Sequence, residues 1–205
     1  MLSLSACASG TTETNGSPSV AAEQSAPGAA DHIVNAEAAL TLDYEAPTFA
    51  EFARQPLTSN VISGTVTATR TVVTPPANIV ETVLTVSVGR QRNPKGATTV
   101  EVREPGGIVT VEQVRSDFED KLGRELTEEE LAETADYRFN GVEHAKVGDR
   151  VLIVVADDPA TDEKNSYTSR ARLVPAGPAG SKKFTWPGKA MNPKWEDTVD
   201  VDSVM

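Results

Sequence analysis

Apolar and polar positions alternate with a period of two over much of residues 61–103, the pattern of strands with one buried face. Val61–Thr74 is nearly all Val, Ile and Thr, side chains that are stiff at χ1 and favoured in strands. Pro75-Pro76-Ala77-Asn78 ends that run, and Ile79–Gly89 follows with Val80, Leu84, Val86 and Val88 on one face. Arg90–Gly96, holding Asn93-Pro94 and Gly96, reads as a turn. Ala97–Arg103 is a third strand, with Val100 and Val102 inward and Glu101 and Arg103 outward, and Pro105-Gly106-Gly107 breaks it.

The period then changes. Val111, Val114, Phe118 and Leu122 recur at spacings of three and four, one face of a helix that Gly123 ends. Thr127 and Glu130 form a capping-box signature, with Leu126 and Leu131 placed for a hydrophobic staple. Glu128, Glu129 and Glu130 suit the positive end of a second short helix, predicted to run to about Ala135. Lys146-Val147-Gly148-Asp149 turns into Arg150–Ala156, whose Val151–Val155 core is apolar on both faces, as in a central strand. Residues 157–165 form a polar loop, and Ser169–Val174 and Lys182–Trp186 are a closing pair of strands.

Three strands, a helical insert, then two or three strands is the order of an OB-fold. Short antiparallel connections favour closure, which removes exposed edges. The fold class expected is therefore mainly β: a small OB-like antiparallel barrel with a helical insert between the third and fourth strands. Its boundaries are 61–188, behind a lead-in at 40–60 that carries Leu40, Leu42, Tyr44, Phe49, Phe52 and Leu57, and ahead of an acidic, loosely packed C-terminal tail at 189–205.

Composition adds the segment ahead of the barrel. Hydrophobic residues are only 39% of the 205-residue chain, below the roughly 45–50% usual for globular proteins. The deficit lies in the stretch from Cys7 to Ala39, rich in Ser, Thr, Ala, Gly, Glu and Pro. Such a segment cannot bury enough surface to offset its ordering entropy, so it is expected to be a disordered tether. As flexible coil its root-mean-square reach is roughly 30 Å. Leu4-Ser5-Ala6-Cys7 at its head resembles a bacterial lipobox, in which the cysteine thiol carries a diacylglycerol and acyl chains hold the protein to the membrane. Only Met1 to Ala6 precede the cysteine, too few for an apolar signal region of about 7–15 residues. Either the start is truncated or the match is fortuitous.

Within the barrel the run of residues resembles small bacterial secreted and lipoprotein β-domains of unknown function. The resemblance rests on Gly64-Thr65-Val66, on Val86 through Gly89-Arg90, on Val102-Arg103-Glu104-Pro105-Gly106-Gly107, and on Gly148-Asp149-Arg150-Val151-Leu152, in that order. It implies an extracytoplasmic β-domain and no particular activity.

Candidate chemistry is sparse. One Cys and two His give no basis for a cluster of those ligands. His32 falls in the tether, and His144 reads as a surface histidine near the Gly148 turn, with no Gly-x-Ser-x-Gly elbow in the chain. Gly177, Gly180 and Lys182 lack phosphate-loop spacing. The acid groups Asp157/Asp158/Asp162 and Asp197/Asp200/Asp202 supply oxygens that suit Ca²⁺ but lack EF-hand spacing. No catalytic, metal or cofactor-binding residue is assigned. Residues 61–103 contain no aromatic stacking platform, and a net charge of −11 opposes polyanions, so nucleic acid is not an expected partner. Arg90, Arg92 and Lys95, together at one hairpin tip, are the candidate contact for an anionic envelope polymer, lipid headgroup or protein partner. The reading is a lipid-anchored, extracytoplasmic binding or scaffolding module without catalytic activity, anchored through Cys7. Its alternatives are an envelope hydrolase using paired carboxylates, as glycosidases do, and an assembly partner docking through residues 111–135.

Overall fold

The computed structural model describes residues 33–38, 46–139, 141–188 and 192–205; Cys7, His32 and the rest of 1–32 lie outside them, as do Leu40, Leu42 and Tyr44. Among the described residues the strands are β1 (Ile33–Ala38), β2 (Asn60–Thr74), β3 (Ile79–Gln91), β4 (Thr99–Pro105), β5 (Gly107–Thr110), β6 (Thr134–Phe139), β7 (Arg150–Asp157), β8 (Ser166–Pro175), β9 (Lys183–Thr185) and β10 (Thr198–Asp200). The helices are α1 (Phe49–Ala53), α2 (Arg115–Leu122) and α3 (Glu128–Leu131).

Five strands close a barrel in the order β2-β3-β4-β8-β7, with β7 returning to β2. The helical insert sits between the third and fourth of them, as the OB order requires. Four of the five junctions are antiparallel; β4 meets β8 in parallel, Glu101–Arg103 against Ser166–Thr168. The barrel interior is filled by Ile62, Val66, Leu84, Val86, Val100, Val102, Val151, Ile153, Val155 and Tyr167, the inward positions of period-two strands. Register shifts at Ser63/Gly64 and Val66/Ala68 bend β2 around this core. Gly64 is obligatory at the bend, because a Cβ there would run into the Ser87 carbonyl oxygen and the Val86 side chain.

β7 is apolar on both faces for a structural reason. Its outward residues Leu152 and Val154, with Val61, Ala171 and Leu173, carry a second core layer. α1 covers that layer, with Phe49, Phe52 and Ala53 buried and the Thr48 hydroxyl capping it by accepting from the Glu51 N–H at 3.2 Å. Leu57 of the same lead-in is 74% exposed, so it does not join the packing expected of it.

The rest of the cover comes from the C-terminus, which corrects the expectation of a loose acidic tail. β10 pairs with β9, and Trp195, Val199, Val201 and Val204 are buried in the same layer. The acids of this segment alternate with those apolar residues and face outward. Composition reads as a tail; position does not.

The insert differs too. Val111–Val114 is a 3-10 turn that leads into the shorter α2, and α3 ends at Leu131. The segment expected to remain helical to Ala135 becomes β6, which pairs with β5. Val111 and Val114 are buried with Val80, Val109 and Ala135 against the outer arm of the β2–β3 hairpin, while Leu122 is 53% exposed. Gly106 and Gly107 carry the chain from the barrel into this second sheet. Gly106 has φ +93, and a Cβ on it would meet the Tyr137 carbonyl oxygen. Residues 33–38, read as tether, form β1 in six-residue parallel register with β6. The sequence shows Ile33-Val34 opening that strand, two β-branched residues at the end of an otherwise small and polar stretch.

Candidate functional site

The polar end of the barrel is built by the β3–β4 turn and the β7–β8 loop. Together they line a cleft of about 540 Å³, with Lys95 on one side and Asp157, Asp158, Thr161, Asp162 and Glu163 on the other. The loop is held by its first residues: the Asp158 carboxylate accepts from the Ala160 N–H at 2.9 Å and from the Ser166 hydroxyl at 3.0 Å. Arg103, outward on β4, donates to the same carboxylate at 2.9 Å and reaches Glu81 at 3.5 Å. Arg70 on β2 pairs with Glu101 on β4 at 3.0 Å. Alternation along β2, β3 and β4 thus sets a lattice of paired charges on the barrel's outer face, continuous with the cleft.

Asp158 anchors that lattice. Burial by itself would raise its carboxyl, but the hydrogen bonds from Ala160, Ser166 and Arg103, with the Arg103 charge, hold it below the usual carboxylate range. It is a fixed anion, the reverse of a glycosidase acid, whose proton must be retained by a raised pKa. A folded-state pKa below the unfolded value, about 3.9, contributes stability that is present above that value and lost as pH falls through the folded one. Urea unfolding of the wild type at pH 7, 5, 4 and 3 is therefore expected to show stability dropping below about pH 4. Asp158→Asn should be less stable at pH 7 and flatter in that window. Parallel pH curves for the two proteins would remove Asp158 from the acid response.

The three cations singled out at the hairpin tip do not converge on one open contact. Arg90 pairs with Asp202 of the C-terminal segment. Arg92 donates from Nη1 to the Ala53 carbonyl at the end of α1, 2.6 Å away. Lys95 lies 3.5 Å from Asp157 and 5.4 Å from the centre of the Tyr167 ring. Arg90 and Arg92 act as ties to elements distant in sequence, and Lys95 alone borders the cleft.

At the opposite end, Ala145 enters the barrel core and the Glu143 carbonyl accepts from Arg172. His144 is accordingly mostly enclosed rather than a surface residue: its Nε2 lies 2.7 Å from Asp136 Oδ1, and Arg138 donates to Oδ2 at 2.9 Å. Burial would raise the Asp136 carboxyl, yet the hydrogen bonds and charges of Arg138 and His144 hold it below its ordinary range. Beside them Glu104 and Arg172 form an ion pair inside the barrel end, unsignalled in the sequence because the two lie 68 residues apart. Among the described residues no group of three or more His, Cys, Asp or Glu side chains is arranged to hold a metal, and the Asp157/Asp158/Asp162 and Asp197/Asp200/Asp202 groups do not gather into one.

The chain matches no family model, no curated protein and no solved structure. Function rests on the geometry.

Proposed function

We propose that this protein is a lipid-anchored, extracytoplasmic binding or scaffolding module that works by presenting a surface rather than by catalysis. The observation that carries the reading is the continuity of the cleft at the β7–β8 loop with the polar outer face of β2, β3 and β4. OB barrels take extended ligands across the face of their second and third strands, between the loops that follow the first and fourth. Here those are β3, β4, the 75–78 turn and the 158–165 loop. The face offers ion-paired, hydrogen-bonding side chains and no stacking ring on β2 or β4. That chemistry suits a hydroxyl-rich envelope polymer or a protein partner better than nucleic acid. Cys7, in its lipobox-like setting, supplies the anchor, and the run of residues resembling secreted β-domains supports the same address.

Metabolic labelling with a palmitate analogue tests the anchor, using the gene expressed with its natural upstream sequence. Wild type is expected to take up label and partition into detergent, and Cys7→Ser to do neither. Equal labelling of both, or of neither, would remove the anchor. Co-sedimentation of the purified protein with cell-wall material tests the surface. Lys95→Glu is expected to change retention, and identical retention would sever the cleft from binding.

A further inference from the structure

At the far end of the barrel from that cleft, Arg150 opens β7 with its side chain on the outer core layer. The guanidinium stacks 5.7 Å from the Phe184 ring centre and donates from Nη2 to the Ser181 carbonyl at 3.2 Å. Its Nη1 is buried and makes no hydrogen bond. Nor does any carboxylate among the described residues pair with it. Asp149, its neighbour, is committed to its own turn, where it accepts from the Lys146 N–H at 2.8 Å. A buried guanidinium nitrogen without acceptor or counter-charge is an unfavourable arrangement that proteins rarely leave uncompensated.

The compensation has somewhere to sit. Arg150 borders a cavity of about 290 Å³, walled by Gly148, Asp149, Val174, Gly177 and Pro178. The loop over it is a held turn: the Ser181 N–H donates to the Pro178 carbonyl at 3.0 Å, and Ala176 N–H to the Lys183 carbonyl at 2.8 Å. Gly148, on the cavity wall, borders open space: a Cβ there would meet nothing within 4 Å. Arg150 itself lines this cavity, with its guanidinium lying on the Phe184 ring.

We propose that this cavity is a subsite for one small oxyanion, a phosphate or carboxylate group held by the Arg150 guanidinium. It is separate from the cleft and does not depend on the anchor. The oxyanion could be dissolved or belong to a lipid headgroup, and the experiment distinguishes the two.

The full chain is titrated with inorganic phosphate, followed by calorimetry and by the amide resonances of Gly148, Gly177 and Gly180. Saturable one-to-one binding that shifts those three amides is expected, with affinity falling about ten-fold or more in Arg150→Gln, as loss of a charge-assisted hydrogen bond predicts. Arg150→Lys should retain part of it. In parallel, retention on phosphatidylglycerol vesicles is compared for wild type and Arg150→Gln. Arg150-dependent vesicle retention without a response to phosphate assigns the site to a lipid headgroup; the converse assigns it to a dissolved ligand. If Arg150→Gln fails to fold, the wild-type amides decide alone under both probes. Shifts confined to residues elsewhere, or no Arg150-dependent response to either probe, would overturn the proposal.

Discussion

Glu104→Ala is expected to destabilise the barrel by about 3–5 kcal/mol, the cost of leaving a buried partner charge uncompensated. Arg172 lies on the inward face of β8 opposite Ile153 of β7, with only 5% of its side chain exposed. Its Nε donates to both Glu104 oxygens, at 3.0 and 2.9 Å, and Nη2 donates to the Glu143 carbonyl. The Ser169 hydroxyl donates to the same carboxylate at 3.2 Å. Removing Glu104 therefore strands a guanidinium inside the barrel and frees Ser169 as well. The paired replacement Glu104→Leu with Arg172→Met should recover much of the loss, since buried ion pairs exchanged for well-packed apolar residues are often neutral or better. Urea denaturation of the wild type, Glu104→Leu, Arg172→Met and the double variant reads the coupling directly. A loss below about 1 kcal/mol for Glu104→Ala would mean that the pair behaves as a surface salt bridge.

Glu104 also shows where the sequence is informative and where it is not. Strands β2, β3, β4, β7 and β8 are legible because β-branched runs and period-two alternation are local signals, bounded by Pro75-Pro76, Pro105-Gly106 and Gly148. The OB order follows from counting those strands around the insert, and the closed barrel agrees with it. β6 is not legible. Thr134–Phe139 follows a Glu-rich capped helix without a breaking residue, and its strand character comes from pairing with β5 and β1. The site shows the same division. Lys95 and the 157–165 acids stand out locally, and they do share a cleft. Arg90 and Arg92 stand out equally, but their partners Asp202 and Ala53 are set by tertiary contact alone. Arg103–Asp158 and Glu104–Arg172 were hidden for that reason: each residue looks like an ordinary strand or loop charge until the barrel closes.

The C-terminal segment yields the second large effect. Trp195→Ala is expected to cost about 3–5 kcal/mol, the range for truncating a buried Trp. The indole is 4% exposed, donates from Nε1 to the Ala46 carbonyl at 2.8 Å, and lies 5.0 Å from the Phe52 ring and 5.6 Å from that of Phe49. It joins the C-terminal segment to the residues just ahead of α1, 149 residues earlier. Its loss should loosen α1 and with it the cover over Leu152 and Val154, leaving the interior of the barrel intact. Two measurements separate that outcome from global collapse. Urea unfolding gives the free-energy loss, and hydrogen exchange should show protection falling at residues 49–53 and 198–204 while the amides of β3 and β4 keep theirs. Trp186→Ala is the internal control. That ring is only partly buried and stacks on Trp195 at 5.7 Å, so its removal should cost less than half as much. Should Trp195→Ala lose no more stability than this control, with exchange at α1 unaltered, the last fourteen residues would be the solvated tail their acidity suggests and the outer core layer would be held by α1 alone.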